Sequence, residues 1–172
     1  MIEEGYKGPV SSREGNTARK SASRLAAVQI LYQIDHSGRP AEHVIEEFLA
    51  HWIGKSFDTD KDVVPDKKLC ISIVRGVELN RTYLDVIVKD VLTESWKLER
   101  LELILKAILR AAVYELKYRH KTPTIVVIAE YVSVAKAFYS DLETGMINGA
   151  LDNAAQQIRG SKFFPEKNEK TH

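Results

Sequence analysis

Cysteine, glycine and proline are all scarce in this chain of 172 residues. Its single cysteine, Cys70, excludes an internal disulfide, and one thiol cannot build a thiolate metal site. The apolar neighbours Leu69 and Ile71 predict that Cys70 is a small buried side chain. Nine glycines and five prolines are too few for the frequent turns of a β-sandwich or a β-barrel, so the composition favours helices.

The chain also lacks long hydrophobic runs and a strong net charge. No apolar stretch approaches the ~20 residues that cross a membrane, and the polar N-terminus has no signal-peptide core, so we expect a cytoplasmic protein without a membrane partner. The net charge of +1 argues against a general binder of polyanions. The charge is uneven, because residues 13–34 are basic and residues 41–66 are mainly acidic. Any contact with nucleic acid would therefore use one patch near the N-terminus.

Motifs for catalysis and for metal binding are incomplete. The run Gly54-Lys55-Ser56 resembles the end of a phosphate-binding loop, but Leu49 stands where that loop needs a glycine. The alternating acids of residues 58–62 resemble the start of a calcium loop, but Val63 and Leu69 occupy its glycine and glutamate positions. The five histidines form no i, i+4 pair. We therefore expect no catalytic residue, no metal, no cofactor and no enzymatic activity.

Apolar residues recur at intervals of three and four along most of the chain, which is the period of an amphipathic helix. Helices are predicted to begin near residues 18, 40, 65, 101, 123 and 142, with a stop at Gly38 and a bend near Asn80. Residues 124–128 are β-branched and alone suggest a strand, but the helical spacing continues after them and favours a helix. The pattern predicts an all-α orthogonal bundle over residues 18–160, between a flexible arm (1–17) and a flexible tail (161–172).

The opening of the first predicted helix, residues 18–24, is basic and carries few apolar side chains. Cations at a helix start oppose the helix dipole, so they do not serve helix stability alone. Cations in this position can meet phosphates, and Ser21 and Ser23 can add hydroxyl donors. The alternative is a solvent-exposed face that tolerates these charges without a ligand.

A second unusual segment, residues 145–152, carries Gly145 and Gly149 four positions apart on the last predicted helix. Each glycine costs about 1 kcal/mol relative to alanine in a helix interior, and close packing of another helix would offset that cost. Asn148 stands beside this bare stripe. Its amide can reach a base edge or a neighbouring carbonyl.

Five segments of the chain, taken in order, resemble the helices of the NusB family of transcription antitermination factors. Each motif is weak alone, but all five occur in register across about residues 18–160. The segments are Ala18-Arg19-Lys20 with Val28-Gln29-Ile30-Leu31-Tyr32, Gly76-Val77 with Thr82-Tyr83-Leu84-Asp85, Ile108-Leu109-Arg110 with Tyr114-Glu115-Leu116, Ala129-Glu130 with Ala135-Lys136, and Asn148-Gly149-Ala150-Leu151-Asp152.

The resemblance implies seven helices in two helical subdomains and binding to the boxA element of ribosomal RNA leaders. It implies RNA contacts at the start of the first helix, here Arg19, Lys20 and Arg24, and at the start of the last helix, here Met146 and Asn148. Met146 takes the place of an aromatic residue, so we expect modest RNA affinity without a partner. The implied partners are a NusE-like small-subunit ribosomal protein and the RNA polymerase antitermination complex.

Acidic side chains are the candidate contacts for a basic ribosomal protein. They include Glu99 and Glu102, together with Glu94 and the acids of residues 41–66; the alternative is that these acids only maintain solubility. A different interpretation is a helical protein-interaction module that never touches RNA and uses Leu105 and its neighbours. The same fold also serves as an accessory domain of RNA methyltransferases, which would require a Rossmann domain that 172 residues do not accommodate.

Overall fold

Helices make up nearly all of the residues that the computed structural model describes, which are 12–52 and 63–160. Within those two ranges the chain forms seven α-helices, one 3₁₀ turn and no strand, which confirms the all-α prediction. The helices are α1 (Ser12–Ser37), α2 (Ala41–Trp52), α3 (Lys67–Leu79), α4 (Arg81–Val91), α5 (Leu103–Tyr118), α6 (Thr124–Lys136) and α7 (Asp141–Arg159), and the 3₁₀ turn is Leu98–Arg100.

The helix α5 lies at the centre of the bundle. It packs against α1, α3, α4, α6 and α7, while α2 packs on α1 and α3. Its buried positions include nearly every residue from Leu105 to Leu116, so this helix forms the centre of the core. The predicted all-α bundle of about seven helices is confirmed.

Local chemistry fixes several helix ends. Gly38 follows α1 with φ +66°, a left-handed conformation that glycine adopts without strain. Asp66 caps α3, because its carboxylate accepts a hydrogen bond from the Leu69 amide at 3.2 Å. Asn80 separates α3 from α4, and its side-chain amide donates to the Gly76 carbonyl at 2.8 Å. The predicted stop at Gly38 is therefore confirmed, whereas the single long helix predicted from residue 65, with a bend near Asn80, is divided at Asn80 into α3 and α4.

The first helix starts earlier than the sequence pattern predicts. Residues 12–17 belong to α1, whereas we expected them to lie in the flexible arm. Residues 12–17 can be helical because adding turns to an existing helix needs no new nucleation. Glu14 lies in the first turn, where its charge complements the helix dipole. The Thr17 hydroxyl also donates to the Arg13 carbonyl at 3.1 Å. The rest of the predicted arm, residues 53–62 and the predicted tail at residues 161–172 lie outside the described residues.

The β-branched segment at residues 124–128 is helical, as predicted. It forms the first turns of α6, with Thr124, Val127 and Ile128 buried and Ile125 exposed. The gain from burying one helical face outweighs the intrinsic preference of these residues for strands.

Cys70 is fully buried in α3, as predicted. Burial, with a smaller effect of the Asp66 charge, raises the pKa of its thiol to about 12. Because the thiolate is the reactive form of cysteine, this side chain serves packing.

Gly76 permits a close contact between α3 and α5. A Cβ atom at this position would overlap the ring of Tyr114. Glycine therefore lets the Tyr114 ring lie directly on the α3 backbone, next to the break at Asn80.

Candidate nucleic-acid interface

Two of the three predicted cations of α1 lie at the surface. Arg19 and Lys20 are both exposed. The Arg19 Nε atom donates to the Val64 carbonyl at 3.0 Å, which holds the side chain along the start of the helix. Lys20 has no hydrogen bond or ion pair with any residue in the described ranges, so its ammonium is available to a ligand.

Arg24 is buried, with 3% of its surface exposed. Its Nε and Nη2 atoms donate to the two carboxylate oxygens of Glu115 at 2.7 and 3.0 Å, and the Tyr131 hydroxyl donates to the same carboxylate at 2.7 Å. Arg24 lies one helical turn beyond Lys20, on the side that faces α5. These contacts hold the Arg24 guanidinium inside the bundle, so the predicted contact of Arg24 with RNA has no support in them.

The charges of this buried cluster reinforce one another. Burial lowers the pKa of Arg24, but the hydrogen bonds and charge of Glu115, with help from Tyr131 and Glu130, outweigh it and raise that pKa. Burial and the charge of Glu115 raise the pKa of Tyr131 well above its ordinary value. Arg24 thus stays charged and Tyr131 stays protonated as a donor.

The serine hydroxyls of the basic segment are also occupied. The Ser21 hydroxyl donates to Glu130 at 2.9 Å, and Ser23 is buried with its hydroxyl bonded to the carbonyls of Arg19 and Asp66. The expectation that they supply donors to RNA therefore has no support in these contacts.

A small cavity of about 200 Å³ lies where α1 meets the start of α6. Its wall includes Thr17 and Lys20 from α1, Lys121 and Thr122 from the connection to α6, and part of the largely buried Arg24. Thr17, Lys20, Lys121 and Thr122 are called the basic pocket below. Both lysines are exposed, and the acid of the cavity wall, Glu130, already accepts from Ser21 and lies 3.7 Å from Arg24.

The start of α6 adds a favourable dipole to the basic pocket. No side chain caps this helix, whose N-cap residue is Pro123. The free amides and positive dipole end of a helix N-terminus attract anions. Two lysines, two threonines and this helix end form an arrangement that can hold a phosphate group.

Lys121 was not among the predicted site residues. The sequence pattern indicated only that it complements the dipole at the end of α5. One sequence signal could have identified it. Lys121 stands two residues before Pro123, where a new helix begins, so it lies close to a helix N-terminus. Its proximity to Lys20, 101 positions earlier in the chain, is a tertiary contact that no local pattern shows.

Arg119 lies close to the same buried cluster. Its Nε atom is 3.6 Å from the Glu115 carboxylate. Among the described residues this nitrogen is a buried polar atom without a hydrogen-bond partner. With 37% of the side chain exposed, the arginine extends the positive surface at this end of α5.

The start of α7 presents the other two predicted RNA contacts. Asn148 is exposed and Met146 is half-buried. No atom of another element lies near the Cβ positions of Gly145 and Gly149, so the expectation that they admit a neighbouring backbone is wrong. Both α1 and α7 pack on α6 and make no comparable contact with each other in the described ranges.

Two of the three predicted partner residues, Glu102 and Leu105, line a shallow groove of about 220 Å³ at the start of α5, whereas Glu99 is not part of its wall. Glu99 pairs with Lys89 at 2.8 Å, and Glu102 accepts from the Tyr139 hydroxyl at 2.8 Å. Leu105 lines the groove but is only 3% exposed. Leu105 is therefore a core residue, and the prediction that it binds a partner has no support in its burial.

The acids of residues 41–66 are less available than their number suggests. Glu42 accepts two hydrogen bonds from Arg75 at 2.8 Å, and Glu47 pairs with Arg39 at 2.6 Å. The hydrogen bond from Arg75 lowers the pKa of Glu42. Acids 58, 60 and 62 lie outside the described residues.

Within residues 12–52 and 63–160, no group of three or more histidine, cysteine, aspartate or glutamate side chains is arranged to hold a metal ion. No helix in the same ranges is long and apolar enough to cross a membrane.

Known proteins give an independent comparison with this chain. The NusB family model matches residues 21–156. A transcription antitermination protein NusB of Bradyrhizobium sp. (strain BTAi1) is 38% identical over 161 residues, which cover 94% of this chain and 95% of the relative. Another, from Nitrobacter hamburgensis, is 41% identical over 145 residues, which cover 84% of this chain and 91% of the relative.

Solved structures agree with the fold. T. maritima NusB superimposes with a TM-score of 0.67 at 27% identity and covers 80% of this chain and 91% of its own. A complex of the antitermination factors NusB and NusE with double-stranded RNA contains a chain that matches with a TM-score of 0.67 at 21% identity, covering 81% of this chain and 97% of its own. That second likeness concerns the fold alone. The family match and the relatives near 40% identity over most of their length show that this chain belongs to the NusB family.

Proposed function

We propose that this protein is a non-enzymatic antitermination factor that binds a boxA-type element of ribosomal RNA leaders in the cytoplasm. The observation that carries the proposal is the basic pocket, where Lys20 and Lys121 meet the start of α6. The names of the relatives as antitermination proteins, and the solved complex of NusB and NusE with RNA, support the same function.

The basic pocket is suited to the RNA backbone. Lys20 and Lys121 supply two exposed cations at the cavity, Arg19 is a third exposed cation at the adjacent position of α1, and Pro123 at the uncapped start of α6 lines the same cavity. Phosphate contacts of this kind position a nucleic acid without reading its sequence. The pocket therefore anchors the strand.

We assign the sequence-reading contacts to the start of α7. Asn148 can pair with a base edge, and the thioether of Met146 can pack on a base, although more weakly than an aromatic ring. The open space beside Gly145 and Gly149 leaves room for a nucleotide to approach this helix. The strand would cross α6 to join the two ends of this interface.

A partner protein is part of the proposal because three cations neutralise few phosphates. A NusE-like ribosomal protein bound at the groove beside Glu99 and Glu102 would add its own basic surface and raise affinity through effective concentration. The pair would act within the RNA polymerase antitermination complex. The buried Leu105 would support the floor of that groove.

Replacing Lys20 and Lys121 together by glutamine should weaken binding to a boxA RNA by about 2- to 30-fold, because each exposed ionic contact is worth about 0.2–1 kcal/mol. The slope of log Kd against log salt should flatten by roughly 0.7 for each lost phosphate contact. Fluorescence anisotropy titrations at several salt concentrations measure both effects.

The matched control is Lys89→Gln with Lys97→Gln, which changes the net charge equally near the other end of α5. The length of α5, 16 residues, separates its two ends by about 24 Å. The control should retain the wild-type affinity and slope. Equal losses in both double variants, or no loss in either, would contradict the assignment of the basic pocket.

A saturating NusE-like protein should tighten binding of the same RNA at fixed salt. The loss of RNA affinity caused by the Lys20 and Lys121 replacements should persist in its presence, because the partner is proposed to bind at the groove and not at the basic pocket. If the two proteins associate but wild-type protein shows no salt-dependent RNA binding, the alternative of a pure protein-interaction module is correct. If the NusE-like protein leaves the RNA affinity unchanged and does not co-migrate with this protein, the paired mechanism is wrong.

A further inference from the structure

A second surface that combines aromatic rings with a cation lies beside the end of α5. Tyr83 on α4 and Tyr118 on α5 are 45% and 43% exposed. The Lys117 ammonium lies 5.7 Å from the centroid of the Tyr83 ring, within the range of a cation–π contact. These three residues are called the tyrosine platform.

The Tyr118 ring is held in place from two sides. It packs on the Tyr114 ring with 5.2 Å between centroids, and its hydroxyl donates to the Asn80 side-chain carbonyl at 3.0 Å. Tyr114 in turn lies on the bare backbone at Gly76. A base that stacks on this ring would meet a side chain that has already lost its rotational freedom, which reduces the entropic cost of binding.

The charge of the tyrosine platform is positive. Among the described residues no carboxylate lies within ion-pair distance of Lys117. The acids that neighbour the platform along α3 and α4 are paired elsewhere, Glu78 with Arg81 and Asp85 with Arg110. The platform therefore suits an anionic ligand with flat rings.

The platform continues from the basic pocket. Tyr118 precedes Lys121 by three residues, so their Cα atoms lie within about 11 Å of each other. Arg119 and His120 fill the interval with further nitrogen donors. A strand leaving the pocket along this connection would reach the platform next.

Exposed apolar residues border the platform as well. Leu79 and Val86 are 86% and 61% exposed, and apolar patches often bind proteins. The unpaired ammonium, the exposed tyrosine rings and the continuity with the basic pocket favour RNA, because single strands are bound by aromatic stacking beside a positive groove.

We propose that Tyr83, Lys117 and Tyr118 bind single-stranded RNA that flanks the element held in the basic pocket, by stacking its bases without regard to sequence. This inference rests on the proposed function, because the pocket brings the strand to the platform. It extends the RNA footprint beyond α1 and α7 to the junction of α4 and α5.

The test compares a short boxA RNA with the same RNA extended by unstructured uridines at its 5′ or its 3′ end. One extension should tighten binding to the wild-type protein by about fivefold or more, since stacking on an aromatic side chain is sequence-tolerant. Tyr83→Leu with Tyr118→Leu should abolish that gain and leave binding of the short RNA unchanged. Tyr83→Phe with Tyr118→Phe is the matched control, which keeps the rings and should keep the gain.

Lys117→Gln is a second variant, which removes one surface charge without altering the packed tyrosines, and it should reduce the gain. The inference is overturned if neither extension tightens binding or if the leucine pair retains the gain. It is also overturned if the leucine pair binds both RNAs like the wild-type protein but no longer binds a NusE-like protein or a second copy of the chain. That result would show that the platform is a protein-binding surface. The Lys20 and Lys121 variant distinguishes the two hypotheses, since its normal binding of the short RNA would contradict the proposed function itself.

Discussion

Replacing Glu115 by alanine should lower the free energy of unfolding by about 3–5 kcal/mol, because it leaves a buried cation without a counter-charge. Glu115 is fully buried, and Arg24 beneath it is 3% exposed. The same change removes the acceptor of the Tyr131 hydroxyl.

Urea unfolding at equilibrium measures this loss, and the midpoint of thermal unfolding should fall by about 6–20 °C. Glu42→Ala is the matched control, since Glu42 also accepts two hydrogen bonds from one arginine, but with both side chains more than half exposed. That control should leave the midpoint nearly unchanged. Exchanging Arg24 and Glu115 together for methionine should restore much of the loss, because buried ion pairs are often replaceable by apolar packing. Similar midpoints for Glu115→Ala and Glu42→Ala would show that the buried pair is not a stabilising element.

Replacing Arg110 by alanine should cost about 2–4 kcal/mol of folding free energy. Arg110 is 7% exposed and joins three helices. It donates to both carboxylate oxygens of Asp85 on α4 at 2.7 and 3.0 Å and to Asp35 on α1 at 2.9 Å. Asp35 keeps a second partner in Arg81, so the cost should be smaller than for Glu115.

Arg110→Lys tests the geometry of this contact. Lysine keeps the charge but cannot form the paired hydrogen bonds to Asp85, so its loss in the same urea experiment should lie between those of wild type and Arg110→Ala. An alanine variant within about 0.5 kcal/mol of wild type, as for an ordinary surface substitution, would mean that the contact with α1 and α4 adds little to the bundle.

The sequence predicted those parts of the fold that depend on neighbouring residues. Helical spacing identified α6 despite its β-branched start, and Gly38 marked the end of α1. Asn80 was predicted as a bend within one long helix, and the structure has two helices that meet there. The start of α1 was predicted too late, because residues 12–17 bury little and so leave no apolar period to detect. Their helicity depends on the helix that follows them.

The candidate site was predicted only where local pattern was sufficient. Lys20 was identified because it lies in a basic segment at the start of a helix. Arg24 lies in the same segment, but its role depends on Glu115, 91 residues away. Lys121 was missed for the same reason, since it becomes a neighbour of Lys20 only when α1 packs on α6. Burial of a charge and convergence of two helices are tertiary properties, and local composition does not contain them.

The length of α5 has a consequence for how the proposed ligands could influence each other. The basic pocket lies at one end of this helix and the groove beside Glu102 at the other, about 24 Å apart for 16 residues. RNA and a protein partner could therefore bind this chain simultaneously without competing for side chains. Any gain in affinity between them would require the RNA to be long enough to touch both proteins. The cooperativity should thus depend on RNA length, with a threshold near the span of a single helix.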